Sequence, residues 1–266
     1  MGENIIQETI VNENKDKLDK LFQAARNARD TGDVDTAIKH YKEISALEPN
    51  DWEALFYLVI LKTKTVVYGE ISNVAISVCN CISKVFELIN RSVNNEQEKK
   101  LIVAEVKKQC CDTAAWLVNV SGKYYNALTQ NDLSFSLITA AVNLDAKRKA
   151  KYESAQRMVN IGNIMCICGN AIEKTFGIED EFYQELAVDC WKGMLNVHFG
   201  HIQYYKVAVF NEESIAKYAE KIQKYDQAYE IPQIKATEKR NYTITALLIV
   251  FGVLAISILW ALWIWS

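Results

Sequence analysis

The 266 residues are half apolar, carry a formal charge of -3 and include only two prolines and ten glycines. That supplies a core for one large or two modest domains, while the acidic balance gives nucleic acid no overall electrostatic attraction. So few turn residues exclude an all-β fold, which needs one every dozen positions or so.

Residues 1–17 are polar and rich in Asn and Glu, without the basic and apolar regions of a secretory leader, so no cleaved signal is expected. An amphipathic stretch follows, with Leu18, Leu21, Phe22, Ala25 and Ala28 on one face. It meets Asp30-Thr31-Gly32-Asp33, and a second stretch (Ala37, Ile38, Tyr41, Ile44, Leu47) closes at Glu48-Pro49-Asn50. The pattern predicts a helical hairpin. Gly32 can take the left-handed conformation that ends the first helix, Asp33 can cap the second, and Pro49 stops it.

Leu21, Ala24, Ala25, Gly32-Asp33, Asp35, Ala37-Ile38, Tyr41, Leu47 and Glu48-Pro49-Asn50 together resemble one tetratricopeptide repeat of 34-residue period, at about 18–51. The residues from Asp51-Trp52-Glu53-Ala54 to Leu58 resemble the first helix of a second repeat, after which the pattern lapses. The complete chain is similar to bacterial tetratricopeptide proteins with a C-terminal transmembrane anchor. The resemblance implies a groove for a protein or peptide, lined mainly by the first helix of each hairpin. The matching positions are Asp19, Phe22, Arg26, Arg29 and Asp30, continued by Glu53 and Phe56. Within it, Arg26 and Arg29 are expected to grip a carboxylate, although the Lys and Asn pattern of the family's carboxylate-clamp members is absent.

Longer helices are predicted near 70–93, 96–128, 132–176 with an interruption, 180–210 and 212–229. In the last, Ile215, Tyr218, Ile222, Tyr225 and Tyr229 form a narrow apolar seam suited to packing on the preceding helix. Ile231-Pro232 then breaks the chain. Residues 244–265 carry no charge and would span roughly 33 Å as a helix, against a hydrocarbon core of about 30 Å. Trp260, Trp263 and Trp265 crowd one end as an aromatic belt, and Lys235, Lys239 and Arg240 flank the other, which places the body on the cytoplasmic side, by expectation of a bacterial plasma membrane. Ser257 and Ala261 form a small-xxx-small pair that leaves a homo-oligomer open.

Cysteine is the sharpest lure toward chemistry. Of seven, six fall in close pairs: Cys79 with Cys81, Cys110 with Cys111, and Cys166 with Cys168, with Cys190 alone. An odd number within apolar helical stretches reads as reduced cytosolic thiols. Helical positions two apart point about 200° from each other, so neither spaced pair can grip one ion unless the helix opens, as Gly162 and Gly169 could allow at Cys166-Ile167-Cys168. His198 and His201 share a helical face two turns beyond Cys190, but a metal there would need another ligand. Glu179-Asp180-Glu181 with Glu185 suits a helix's first turn as well as an acid–base pair. Gly122-Lys123 lacks the rest of a phosphate loop, and no nucleophile elbow occurs.

The expected architecture is all-α: a polar segment 1–17, a tetratricopeptide-like region 18–68 with one helical hairpin, a long-helix bundle 69–230, a linker 231–242 and a transmembrane helix 243–265. The expected function is a non-catalytic, membrane-anchored scaffold that binds an unidentified protein or peptide and the lipid bilayer, without nucleic acid, metal or other cofactor. The alternative is a membrane-tethered metal or redox sensor built on the cysteine pairs.

Overall fold

A computed structural model describes residues 2–130, 137–206 and 212–231, and every regular element among them is helical. The first turn is set by backbone chemistry. Helix α1 (Gly2–Asp30) ends where Gly32 adopts φ +79°, and the Asp33 amide donates to the Ala28 carbonyl (2.8 Å) while that of Gly32 donates to Arg29 (3.1 Å). This is the paired closure that a left-handed glycine permits and a side chain would strain. Asp33 then caps α2 (Val34–Leu47) by accepting from the Thr36 amide, and Asp51 caps α3 (Trp52–Lys62) by accepting from the Ala54 amide at 2.7 Å. The polar residues that sequence sets apart as 1–17 continue into α1 as one helix from Gly2.

Two short 3-10 turns lead into α4 (Ile71–Ser92), followed by α5 (Glu96–Gln130), α6 (Leu137–Phe176), α7 (Glu181–Tyr205) and α8 (Glu212–Gln223). Helix α1 packs on α2, α2 on α3 and α3 on α4; α6 is central to the bundle, touching α4, α5 and α7. A continuous core runs from Ala25, Tyr41 and Phe56 through Ile82, Phe86 and Leu117 to Ile161, Trp191 and Ile222. The stretch Tyr68–Ser92 is long and apolar enough to cross a membrane, but half of it is buried, and α4 packs on α3, α5 and α6. Its hydropathy is accounted for by that core position.

The interruption expected within 132–176 does not occur between Leu137 and Phe176. Gly169, expected to let the helix open at Cys166-Ile167-Cys168, serves helix approach instead. A Cβ at Gly169 would lie 2.7 Å from Nε1 of Trp191 and 2.9 Å from the Ala187 carbonyl, so absence of a side chain there lets α6 and α7 touch. Helix α8 stops earlier than expected, at Gln223, because Asp226 reverses the chain. Its amide donates to Ile222 (2.8 Å), and its carboxylate accepts from the Ala228 amide and pairs with Lys192 at 2.7 Å. The apolar seam packs on the preceding helix α7, as expected, with Ile215 and Ile222 buried, and also reaches α6, where Asn170 donates to Tyr218.

The chain divides into two units, Met1–Pro232 and Gln233–Ser266. The expected transmembrane helix 243–265, and its linker from 232 on, lie outside the described residues.

Two glycine substitutions should have opposite signs. Gly169→Ala should destabilise the chain by about 1–3 kcal/mol through overpacking. Gly122, inside α5 with open space where its Cβ would be, should gain about 0.5–1 kcal/mol on replacement by alanine. Urea unfolding followed by far-UV circular dichroism measures both.

Candidate functional site

The residues predicted to line a groove converge on a buried carboxylate. Glu53, in the first turn of α3, is only 4% exposed. Desolvating an unpaired carboxylate costs several kcal/mol, so donors must surround it. They come from both preceding helices. Arg26 of α1 reaches it through Nε at 2.8 and 3.1 Å and Nη2 at 2.5 Å, and the Tyr41 hydroxyl of α2 donates to it at 3.0 Å. Arg29 donates to the Tyr41 oxygen at 3.3 Å, stands 3.7 Å from the carboxylate, and lies over the Tyr57 ring at 4.3 Å. Tyr57 in turn stacks on Tyr41 with centroids 5.5 Å apart. Burial and the neighbouring Glu53 carboxylate push the Tyr41 phenol well above its ordinary range, so it stays a donor.

This network changes the task of the two arginines. Instead of waiting for a partner's carboxylate, Arg26 is engaged by Glu53, and Arg29 by Tyr41 and by Asp30 at 2.8 Å. Phe56 is fully buried in the core beside Tyr57.

Outside the network lies a cleft of about 770 Å³ that contains the other predicted positions. Asp19, Phe22, Arg26 and Asp30 line it from α1, Glu53 stands at its wall with Asp51 and Trp52, and Val93, Glu98 and Ile102 close it from the α4–α5 junction. Five of the seven predicted groove residues thus meet; Arg29 and Phe56 do not line it. The α5 contribution had no sequence signal, since Glu98 and Ile102 lie far along the chain outside any repeat. The lining charge is unbalanced: Asp19, Asp51 and Glu98 line the cleft beside Arg26, whose charge is already matched by Glu53, while the Asp30 carboxylate is paired with Arg29. Burial pushes the Asp51 carboxyl up, although its bond to the Ala54 amide favours the ionised form.

The cysteines arrange themselves differently from their sequence pairs. Cys110 and Cys111 of α5, Cys168 of α6 and Cys190 of α7 lie close enough to influence one another's ionisation. All seven cysteines are free, and all are shifted toward the neutral thiol, Cys79 and Cys81 by burial to about 12. Protonated thiols are poor nucleophiles and poor ligands. The His198 and His201 rings sit 5.9 Å apart in α7, both buried, the first against Gly162. Among the described residues no group of three or more His, Cys, Asp or Glu could hold a metal ion. Asp180, in the acidic run, caps α7 through the Phe182 amide and pairs with Lys100 at 2.5 Å, which lowers its pKa.

No protein-family model matches the chain, and no curated protein matches it. Among solved structures, the crystal structure of MamA protein is similar at 14% identity, covering 82% of this chain and 97% of that one with a TM-score of 0.22. Likeness that loose carries no argument about fold or function.

The histidines make stability pH-dependent. Burial lowers both to about 4, below the ordinary value near 6.5, so the unfolded chain binds more protons between those values. The stability of the neutral pair is therefore complete above pH about 6.5 and falls as pH drops toward 4, by on the order of a few kcal/mol. Urea midpoints between pH 7 and 4.5 should show this fall, and a His198→Phe, His201→Phe double variant should flatten it.

Proposed function

We propose that this chain is a non-catalytic protein-interaction module whose α1–α3–α5 cleft receives a partner segment carrying both basic and apolar side chains. The observation that carries this reading is the cleft's chemistry: carboxylates of Asp19, Asp30, Asp51 and Glu98 around the apolar surfaces of Phe22, Trp52 and Ile102. A basic side chain gains Coulomb attraction from such a rim, while an apolar one removes Trp52 and Phe22 from water. The tetratricopeptide-like hairpin fits this reading, since paired helices offer a groove for a peptide or helix. It replaces the carboxylate-binding groove anticipated from Arg26 and Arg29, whose guanidinium groups are engaged within the fold.

Membrane tethering belongs to the same proposal. An uncharged helix at 243–265 with basic residues on its N-terminal side would hold the body at the cytoplasmic face and restrict binding to partners near that surface. Nothing in this role calls for a reaction, so the chain acts as a scaffold and not as an enzyme.

Fluorescence anisotropy with the full chain should give binding to peptides that alternate Lys or Arg with Leu or Trp, and little to the same peptides with Glu in place of the basic residues. Combined Asp19→Lys and Asp30→Lys should weaken the first set by tenfold or more, as expected for loss of two close charge contacts of about 1 kcal/mol each and their replacement by repulsion. Equal binding of acidic and basic peptides, or no effect of the double variant, would remove the cleft as the site.

A further inference from the structure

The end of the bundle where α3 stops beside α5 and α6 carries the opposite charge from the cleft. In a protein of net charge -3, Lys62, Lys64, Lys123 and Lys206 are exposed around this end, and α6 enters it with Lys147, Arg148, Lys149 and Lys151 within five residues. Exposed acids in the same stretches of chain are Glu70, Asp112, which pairs with Lys108, and Glu153, which pairs with Arg157. The same end exposes large apolar side chains: Val67 is 62% exposed, Tyr204 53%, Tyr152 49%, Tyr124 39% and Trp116 38%.

These groups form one connected surface. Lys64 lies over the Trp116 ring at 6.0 Å, and the indole donates to the Thr63 carbonyl at 3.2 Å, which fixes its plane. Trp116 and Lys123, seven residues apart, share a face of α5. Tyr124 stacks on Tyr68, which lies under Arg157, and Tyr204 bonds to Asn126 at 2.5 Å while packing on Tyr125. Trp116, Tyr124 and Tyr204 are therefore held in place by specific contacts, and are not loose ends of the core.

We infer that this basic, aromatic end of the bundle lies against an anionic lipid bilayer. Tryptophan and tyrosine rings with one apolar body and one polar edge gain most at the headgroup level, and lysines and arginines close to an anionic leaflet add about a fivefold gain in affinity each. The aliphatic Val67 beside the rings favours a bilayer over a polyanion such as RNA, which offers no apolar phase to receive it. The contact is independent of whether 243–265 spans the membrane, because it rests on residues of the helical body alone.

Hydrogen exchange read by mass spectrometry on the full chain, with bilayer nanodiscs of phosphatidylcholine alone or with one-third phosphatidylglycerol, tests the contact. Peptides covering 62–70 and 116–127 should exchange several-fold more slowly with the anionic discs only, and 0.5 M salt should abolish the difference. Peptides of the α1–α3 cleft should not change. The Lys64→Glu, Lys123→Glu, Lys149→Glu triple variant should lose the effect, and wild-type chain at high salt gives the same reading without any substitution. Exchange that ignores lipid charge would overturn the contact, as would protection of this end by an RNA oligonucleotide but not by the anionic discs. Insertion through 243–265 is read separately, from retention in phosphatidylcholine discs, so failure of the tether and failure of this contact give different results.

Discussion

The Glu53 carboxylate is the point on which the N-terminal third of the structure turns. Buried at 4% exposure, it exacts a desolvation cost of several kcal/mol that only close donors offset, and Arg26 and Tyr41 supply them from α1 and α2. One acid thereby fixes three helices in a common frame. Without it the first hairpin would still form, because the Gly32 closure and the Asp33 cap are local. Its angle to α3 would lose its strongest polar determinant.

That frame creates the cleft. Because Arg26 bends to Glu53, α1 presents Asp19, Phe22 and Asp30 across from Asp51 and Trp52, and α3 packs on α4 so that the α4–α5 junction brings Glu98 to the far wall. The charge of the cleft thus follows from pairing within the chain: once Arg26 is engaged by Glu53 and Arg29 by Tyr41 and Asp30, the carboxylates of Asp19, Asp51 and Glu98 dominate the surface that remains. At the opposite end of the bundle the aromatic residues are braced by backbone and ring contacts, while the lysines around them are left exposed. The two ends of the helical bundle differ in charge although the chain as a whole is close to neutral.

Much of this was legible in the sequence. The hairpin was, because glycine, capping aspartate and proline act over three or four residues, and their chemistry does not depend on what packs around them. The all-helical class followed from the scarcity of turn residues. The groove positions came from resemblance to a repeat and were partly gathered, with Asp19, Phe22, Arg26, Asp30 and Glu53 meeting in one cleft. What sequence could not convey was the Arg26–Glu53 pairing across 27 residues, which reverses the charge that the cleft offers. Nor could spacing reveal that Gly169 marks a contact with Trp191 and not a break, or that Cys110 and Cys111 lie near thiols of other helices. These depend on which helices neighbour one another, a property of the whole bundle.

A double-mutant cycle on Arg26 and Glu53 tests the central claim most directly. Unfolding free energies of the full chain, of Arg26→Ala, of Glu53→Gln and of the pair give the coupling. With one partner buried and the other half exposed, the cycle should yield a coupling of about 1–2 kcal/mol, the range for a charge-assisted hydrogen bond discounted for solvent screening. A coupling indistinguishable from zero would mean that Glu53 does not engage Arg26 in solution, and the acidic character assigned to the cleft would fall with it.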